Sequence, residues 1–420
     1  MYISDLALND FRSYQEVVLH FEPGITTFVG ENGQGKTNLV EAIGYLASFS
    51  SHRVGTDSAL VRAGANAGVI RAKVWHEESP TTLEIEIISG RANRARINRG
   101  NVRPQQILGL VRTVLFAPED LQLIKGDPSH RRDFLDLLMI QAHPKMAAVR
   151  SEYEKVLRQR AALLKTAGKL RKTGRIFDET SLIIWDQQLA RLGVKIIKKR
   201  AELIELLRPY VQEYYEIISA GKSLAQMHYE VNLAKYLSSE EEIDYSEAQF
   251  LKTLESIREQ EIERGVNLLG PHRDELGLSL SDLPVKGYAS HGESWSYALA
   301  LKLAMWKLLC LQNEDIWADD GEPILILDDV FAELDVRRRE RLAKLVLAAK
   351  QVFITAAVEE DLPKELAGQK FQVKNGEVIA KNEPILGRNI LEESILEKTF
   401  LMPTEESKEE ILSEIARNNE

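Results

Sequence analysis

The 420-residue chain predicts an α/β fold, in which a P-loop nucleotide-binding head of mixed sheets and flanking helices is split by a mostly helical second lobe. Three observations predict it. A β-branched run, Ile25-Thr26-Thr27-Phe28-Val29, leads directly into GENGQGKT and then into helically spaced residues. Nearly three hundred residues later, Pro323 to Asp329 (PILILDD) forms a continuous apolar run, the pattern of a parallel strand buried on both faces. Between the two, from about 130 to 260, the periodicity changes to helical.

Taken in order, Val17, Leu19 and Phe21 alternate along a strand that Pro23-Gly24 turns into the strand before the loop. Asn38 to Phe49 has helical spacing. Residues 69–76, 83–88 and 111–116 read as further strands, and the Arg- and Asn-rich stretch Arg91 to Arg103 as exposed loops or a hairpin tip. Leu182, Leu189, Ile196, Leu203, Tyr210 and Ile217 recur every seventh residue, with Trp185, Leu192 and Leu206 at complementary positions and Lys199 interrupting. That seam fits either an ordinary helical core or a short coiled-coil arm. Phe353-Ile354-Thr355 reads as the strand after PILILDD, and Asn375-Gly376 as a hairpin turn. The expected division is an ATPase lobe from 1–125 and 265–385, a helical lobe from 126–264 and a Glu-rich tail from 386–420.

No apolar run approaches the roughly 20 residues of a membrane-spanning helix, so no membrane association is expected. The N-terminus lacks the basic-then-apolar profile of a secretory signal. The single cysteine, Cys310, excludes an intrachain disulfide and a multi-cysteine zinc site, and its apolar helical setting reads as a buried small hydrophobe. A reducing cytoplasm is the expected location. The net charge of −10 disfavours indiscriminate polyanion binding, so any contact with nucleic acid needs a local basic face.

Gly30 to Thr37 fits G-x-x-x-x-G-K-[ST] with a strand before and a helix after. Gly30, Gly33 and Gly35 let the backbone wrap phosphates, with Asn32 and Asn38 completing the cradle. Lys36 is expected to bridge the β- and γ-phosphates of ATP, and Thr37 to coordinate Mg²⁺. Asp328 ends the apolar strand where a carboxylate reaches the same Mg²⁺, and Asp329 follows where a general base or water-orienting carboxylate belongs. The wide separation of Lys36 and Asp328 argues against a small GTPase and for a head divided by an insertion. Ser290-His291-Gly292-Glu293 opens a helical run, a position where free N–H groups and the positive dipole end face an anion, or where serine simply caps a helix.

Placed about thirty residues before the Asp328 strand, that segment resembles the signature of ABC-type ATPases, and Glu333-Leu334-Asp335 resembles their D-loop. The whole set resembles the RecF family of bacterial recombination mediators, relatives of SMC heads. It comprises Phe11-Arg12-Ser13-Tyr14, GENGQGKTN, Phe116-x-Pro118-Glu119-Asp120-Leu121, Lys125-Gly126-x-Pro128 with Arg131-Arg132, Gly270-Pro271-His272-Arg273-Asp274, ASHGE and LILDDVFAELD. The resemblance implies an ABC-type head with a short helical lobe, weak ATP hydrolysis and an ATP-dependent homodimer sealed by Ser290, Gly292 and Glu293 of the other copy. It also implies recombinational repair and replication-fork maintenance on duplex or gapped DNA, with RecR and RecO mediators helping load the RecA recombinase. Arg12 would contact nucleotide phosphate, and Glu119 and Asp120 fall at the Q-loop, although no glutamine stands there. Asp329 replaces the usual glutamate, the signature reads SHGE, and Thr355-Ala356-Ala357 supplies no γ-phosphate-sensing histidine. Each departure points to slow turnover, and a non-catalytic ATP-gated scaffold stays open as an alternative. A transporter motor does not fit, because the full LSGGQ, the switch histidine and the short Walker spacing are all missing.

Three basic clusters are candidate DNA contacts, expected to touch phosphates without reading bases. They are Arg94, Arg96, Arg99 and Arg103; His130, Arg131 and Arg132; and Arg158, Arg160, Lys165, Lys169, Arg171, Lys172 and Arg175. Few aromatics interleave with them, which favours duplex over single-stranded DNA.

Overall fold

The computed structural model describes residues 1–174, 177, 180–221, 223–238, 242–311 and 321–381. Arg175, residues 382–385 of the expected ATPase lobe and the acidic tail 386–420 lie outside the described residues.

The chain begins with β1 (Tyr2–Phe11) and β2 (Tyr14–His20), an antiparallel pair joined by a two-residue turn. The strand β1 does not stand out in the sequence because Asp5, Asn9 and Asp10 break its apolar pattern; buried Asp5 is paired with His20 at 2.5 Å. Next come β3 (Gly24–Val29), α1 (Lys36–Ser48), β4 (Ala67–His76), β5 (Ser79–Ile88), β6 (Arg94–Ile97) and β7 (Gly100–Val102). One six-stranded sheet runs β2-β1-β4-β5-β6-β7 and is antiparallel throughout. The Arg-rich stretch is therefore the β6–β7 hairpin at its edge.

A second six-stranded sheet has the order β15-β14-β3-β13-β12-β8. It brings β8 (Thr113–Phe116) and β12 (Ile324–Asp328) beside β13 (Gln351–Ala356), β14 (Gln369–Lys374) and β15 (Glu377–Ala380). All its pairings are parallel except the β14–β15 hairpin, whose turn is Asn375-Gly376. Ile324 and Ile326 enter the core shared with α1 and the antiparallel sheet, while Leu325 and Leu327 enter the core on the opposite face. Burial on both sides is why this strand reads as an unbroken apolar run rather than an alternating one.

The opposite face is covered by helices. These are α2 (Leu121–Lys125), α3 (Pro128–Ala142), α4 (Met146–Lys172), α5 (Thr180–Ser219) and α6 (Glu247–Arg264), with the short α7 (Val285–Tyr288), α8 (His291–Leu311) and α9 (Val336–Val346). The helix α8 is buried almost all round, between α5 and the parallel sheet. Half-buried Cys310 lies near its end, and burial pushes its thiol up to about 12, so it is not a reactive thiolate.

The sevenfold seam belongs to α5, which packs against α4, α6 and α8; Leu189, Ile196 and Leu203 lie in the large core, whereas Leu182 lies in a small separate cluster with Leu164, Ala167 and Ile262. Leu182, Leu189, Ile196 and Leu203 are buried, but Leu206 and Ile217 are exposed. A straight helix drifts by about 20° per heptad from a strict seven-residue repeat, which carries the far end of the stripe toward solvent. The helical region also contributes β9 (Ala225–Glu230), which pairs with β10 (Glu275–Leu280); β10 in turn pairs with β11 (Leu283–Pro284). A sheet thus crosses the boundary expected at 264.

Gly270-Pro271-His272-Arg273-Asp274 is tied to residues on the other side of that expected boundary. Arg200 Nη1 donates to Pro271 O at 2.8 Å, and Arg132 donates to Asp274 O at 3.0 Å. Asn232 N and Tyr229 Oη donate to the buried Asp274 carboxylate. His272 shares a 2.7 Å hydrogen bond with Tyr153 Oη, and burial pushes its imidazole down to about 4. Unfolded, it titrates near 6.5, so the unfolded chain binds the extra proton between these values and stability falls as pH drops from about 6.5 to 4. Asp274, whose carboxyl burial holds above the usual range, opposes this by taking up a proton in the native state. We expect acidification from pH 7 to 4.5 to cost the parent up to about 3 kcal/mol more than it costs His272→Gln. Urea midpoints at the two pH values measure this, and equal pH dependence in both proteins would contradict the assignment.

Candidate active site

The strand β3 delivers the chain into the loop 30–35, and α1 starts at Lys36. Two of the glycines are sterically required. A Cβ on Gly30 would come within 2.1 Å of Val373 O on β14, and Gly35 has φ +113° with Tyr14 Oη 2.8 Å from where its Cβ would be. The β14–β15 turn also touches the loop, since Asn375 N donates to Gln34 Oε1 at 2.5 Å. Asn32 and Gly33 are exposed at the loop surface. Lys36 folds inward and donates to Gly30 O at 2.6 Å and Glu31 O at 3.1 Å. Burial pushes its ammonium below the ordinary lysine value, against the pull of Asp329 and Asp328.

The two expected ends of the site meet. Thr37 Oγ1 donates to Asp328 Oδ1 at 3.0 Å, across 291 residues of sequence. Thr355 Oγ1 donates to the same oxygen at 2.6 Å and accepts from Asp329 N at 2.9 Å. Thr355 stands out in sequence only as the lack of a histidine, yet here it joins the two aspartates. Asp329 occupies the left-handed region (φ +51°), uncommon for a non-glycine residue, and its Oδ1 is buried without a hydrogen-bond partner. Burial, with Asp328 and Asp361, holds its carboxyl above the usual carboxylate range, opposed by Lys36 and Thr355.

Arg12 lies in the β1–β2 turn, and its guanidinium grips Glu41 of α1 through two contacts, at 2.6 and 2.7 Å. Its neighbour Ser13 accepts from Asn38 Nδ2 at 2.9 Å, so the β1–β2 turn borders the first two turns of α1. The segment 51–53 carries no sequence motif but completes this wall. Ser51 Oγ donates to Glu41 Oε1 at 2.5 Å, Arg53 donates to Asn38 Oδ1 at 3.1 Å, and His52 Nε2 lies 3.6 Å from Asp328 Oδ2.

Ser290, Gly292 and Glu293 sit apart from this cluster. Among the described residues no hydrogen bond or ion pair joins them to the loop or the aspartates. Ser290 N and Oγ donate to Glu293 Oε2 at 2.9 and 2.7 Å, a capping arrangement that holds Glu293 below the usual carboxylate range. Gly292 lies against the Arg338 guanidinium, and Asp335 caps α9. Asp120 pairs with Lys302 of α8 at 2.8 Å, and Glu119 is exposed.

These residues fit a magnesium-bound triphosphate. A glycine-tight loop surrounds an inward ammonium, two hydroxyls and a carboxylate converge, and the orphaned Asp329 oxygen offers an acceptor for water.

The basic clusters divide by burial, which corrects part of the expectation. Arg131 is buried and forks onto Glu275 at 2.7 Å. Arg160 is fully buried among Asp186, Glu261 and Asn267. Neither can reach DNA, because each is committed to partners inside the protein. Arg96 is held by Glu84 at 2.6 Å, and Arg171 pairs with Glu259. Arg94, Arg99, Arg103, His130, Arg158, Lys165, Lys169 and Lys172 are exposed. Arg103 and Arg158, far apart in sequence, line one cleft of about 720 Å³ together with Lys155, Ser151, Gln105 and Gln106.

The chain matches the family model for the RecF/RecN/SMC N terminal domain over residues 2–377. It is 54% identical over 396 residues to the DNA replication and repair protein RecF of Beutenbergia cavernae, covering 90% of this chain and 99% of that protein. Against the protein of the same description from Streptomyces avermitilis the identity is 53% over 380 residues, with 90% and 99% covered. It is similar to the solved structure of the recombination mediator protein RecF-ATP in the RecFOR pathway, with a TM-score of 0.80 and 26% identity over 91% of this chain and 98% of that one. An Smc head bound to the C-winged helix domain of ScpA shares the fold, with a TM-score of 0.51 at 17% identity over 90% of this chain and 97% of that one.

Proposed function

The chain belongs to the RecF family, and from that premise we propose that it is an ATP-gated, DNA-binding protein of replication and recombinational repair. The observation that carries this reading is the Thr37–Asp328–Thr355 hydrogen-bonded cluster beside Lys36, which assembles both halves of a nucleotide site from distant sequence. ATP is the substrate. Thr37 and Asp328 would hold Mg²⁺, which supplies charge neutralisation at the phosphates. Lys36 and the loop N–H groups orient the triphosphate, and the free oxygen of Asp329 holds water. Aspartate reaches less far than glutamate, so we propose slow turnover.

A second copy would complete the site by presenting Ser290 and Gly292. Ser290 is capped by Glu293 within one chain, so phosphate contact requires the serine hydroxyl to exchange partners. The proposed duplex or gapped-DNA face is the exposed cations of the β6–β7 hairpin and α4, meeting at the Arg103–Arg158 cleft. RecR- and RecO-type mediators are the proposed protein partners. No described helix is long and apolar enough to cross a membrane, and a cytoplasmic location is proposed.

Light scattering with and without ATP and Mg²⁺ tests the dimer, and duplex binding across a salt series tests the face. We expect a monomer-to-dimer shift and ATP-tightened DNA affinity that falls steeply with salt. Arg103→Glu with Arg158→Glu should weaken DNA binding at least about tenfold and flatten the salt slope, since each lost phosphate contact lowers that slope by about 1. DNA affinity indifferent to nucleotide contradicts the gating.

A further inference from the structure

We propose that His52 is a positioning residue for the metal-binding carboxylate, its Nε2–H holding the second oxygen of Asp328. This inference rests on the nucleotide reading of the site and adds a residue to it.

The two oxygens of Asp328 are treated differently. Oδ1 accepts from both Thr37 Oγ1 and Thr355 Oγ1, whereas no hydrogen bond from a described residue reaches Oδ2. The group facing Oδ2 is His52 Nε2, at 3.6 Å. That nitrogen is enclosed and has no hydrogen-bond partner. A buried polar nitrogen left unpaired costs about 1–3 kcal/mol, and here it faces an acceptor a few tenths of an ångström beyond hydrogen-bond range. A small approach satisfies both groups.

The backbone around His52 is built to hold it there. Ser51 Oγ accepts from Arg53 N at 2.9 Å and Val54 N at 3.1 Å while donating to Glu41, so the turn is fastened to α1 on the residue that also grips Arg12. Arg53, on the other side of His52, reaches Asn38 at 3.1 Å. One three-residue turn thereby touches the arginine wall, the first turn of the phosphate-loop helix and the metal-binding aspartate. Partners that fix the orientation of a metal ligand typically change metal affinity or activity by about 10–100-fold when removed.

The test measures Mn²⁺ binding by electron paramagnetic resonance with a non-hydrolysable ATP analogue present, and fluorescent-nucleotide binding in EDTA. His52→Ala should weaken Mn²⁺ binding about 10–100-fold and leave metal-free nucleotide binding and the melting temperature unchanged. His52→Gln, which keeps an N–H donor of similar reach, should restore most of the Mn²⁺ affinity. Unchanged Mn²⁺ affinity in His52→Ala overturns the proposal, as does a parallel loss of metal-free binding, which marks a merely structural role. Failure of glutamine to restore metal binding overturns it too. A parent protein that binds no nucleotide under any condition instead removes the nucleotide reading on which the inference stands.

Discussion

Replacing Lys36 with alanine should lower single-turnover ATP hydrolysis by about 100- to 1,000-fold, the loss typical of deleting one preorganised charge from a site where charge develops. The ammonium lies buried among the carbonyls of Gly30 and Glu31, with the two aspartates as its nearby negative charges. Its interactions in the protein alone are with the loop, and its burial disfavours the charged form, so removing it should leave the melting temperature within a degree or two of the parent. The same variant should lose ATP-dependent dimerisation, because a triphosphate held loosely offers no fixed surface to the Ser290 segment of a second copy. Asp329→Asn separates the two roles of nucleotide. It keeps the shape and the buried oxygen while removing the charge that would orient water, so it should dimerise with ATP and turn over more slowly. If Lys36→Ala hydrolyses ATP within threefold of the parent, the loop is not the catalytic site. If Asp329→Asn hydrolyses as fast as the parent, that carboxylate has no part in the chemistry, and the scaffold reading gains.

Arg160→Ala should destabilise the protein by about 3–5 kcal/mol, the cost of breaking a buried ion pair from one side. The guanidinium is fully buried and donates to Asp186 at 2.6 Å, Glu261 at 2.5 Å and Asn267 at 2.7 Å. It thereby ties α4 to α5 and α6 and to the segment leading into Gly270. Removing it takes away the ion-pair partner of wholly buried Glu261, which then keeps the Leu268 N–H at 2.7 Å, while among the described residues Asp186 keeps only Arg258 at 3.0 Å. Replacing all three charged groups together with apolar residues of similar volume should cost less than the single change, since desolvation then has nothing left to penalise. Guanidinium unfolding followed by circular dichroism reads both values. A loss below 1 kcal/mol for Arg160→Ala shows that the cluster adds little to the native state.

The correction at Arg160 shows where local pattern stops being informative. In the sequence it sits in a run of cations with Arg158 and Lys165, and its helix has the same composition on either side. Arg158 faces solvent and Arg160 faces the core because the two positions are about 200° apart around α4. That rotation becomes meaningful only once α5 and α6 fix which side is inside. Arg131 and Arg132 divide for the same reason, one against Glu275 and the other at the Asp274 carbonyl.

By itself the sequence determined the features whose causes are local. Glycines are needed where the loop turns back on β14, unbroken apolar strands are needed where both faces are covered, and Asn375-Gly376 is needed for a tight hairpin. Their chemistry is written in consecutive residues, so the glycine-rich loop between strand and helix, the aspartate strand and the helical middle could be read directly. Only the tertiary structure decided the fate of residues whose partners are distant. It brought Thr355 and His52 to Asp328, joined β9 to β10, and set Ser290 against Glu293 rather than beside the loop. A hydrogen bond or ion pair needs its partner within about 3–4 Å, and chain connectivity alone does not say which of many polar side chains will come that close.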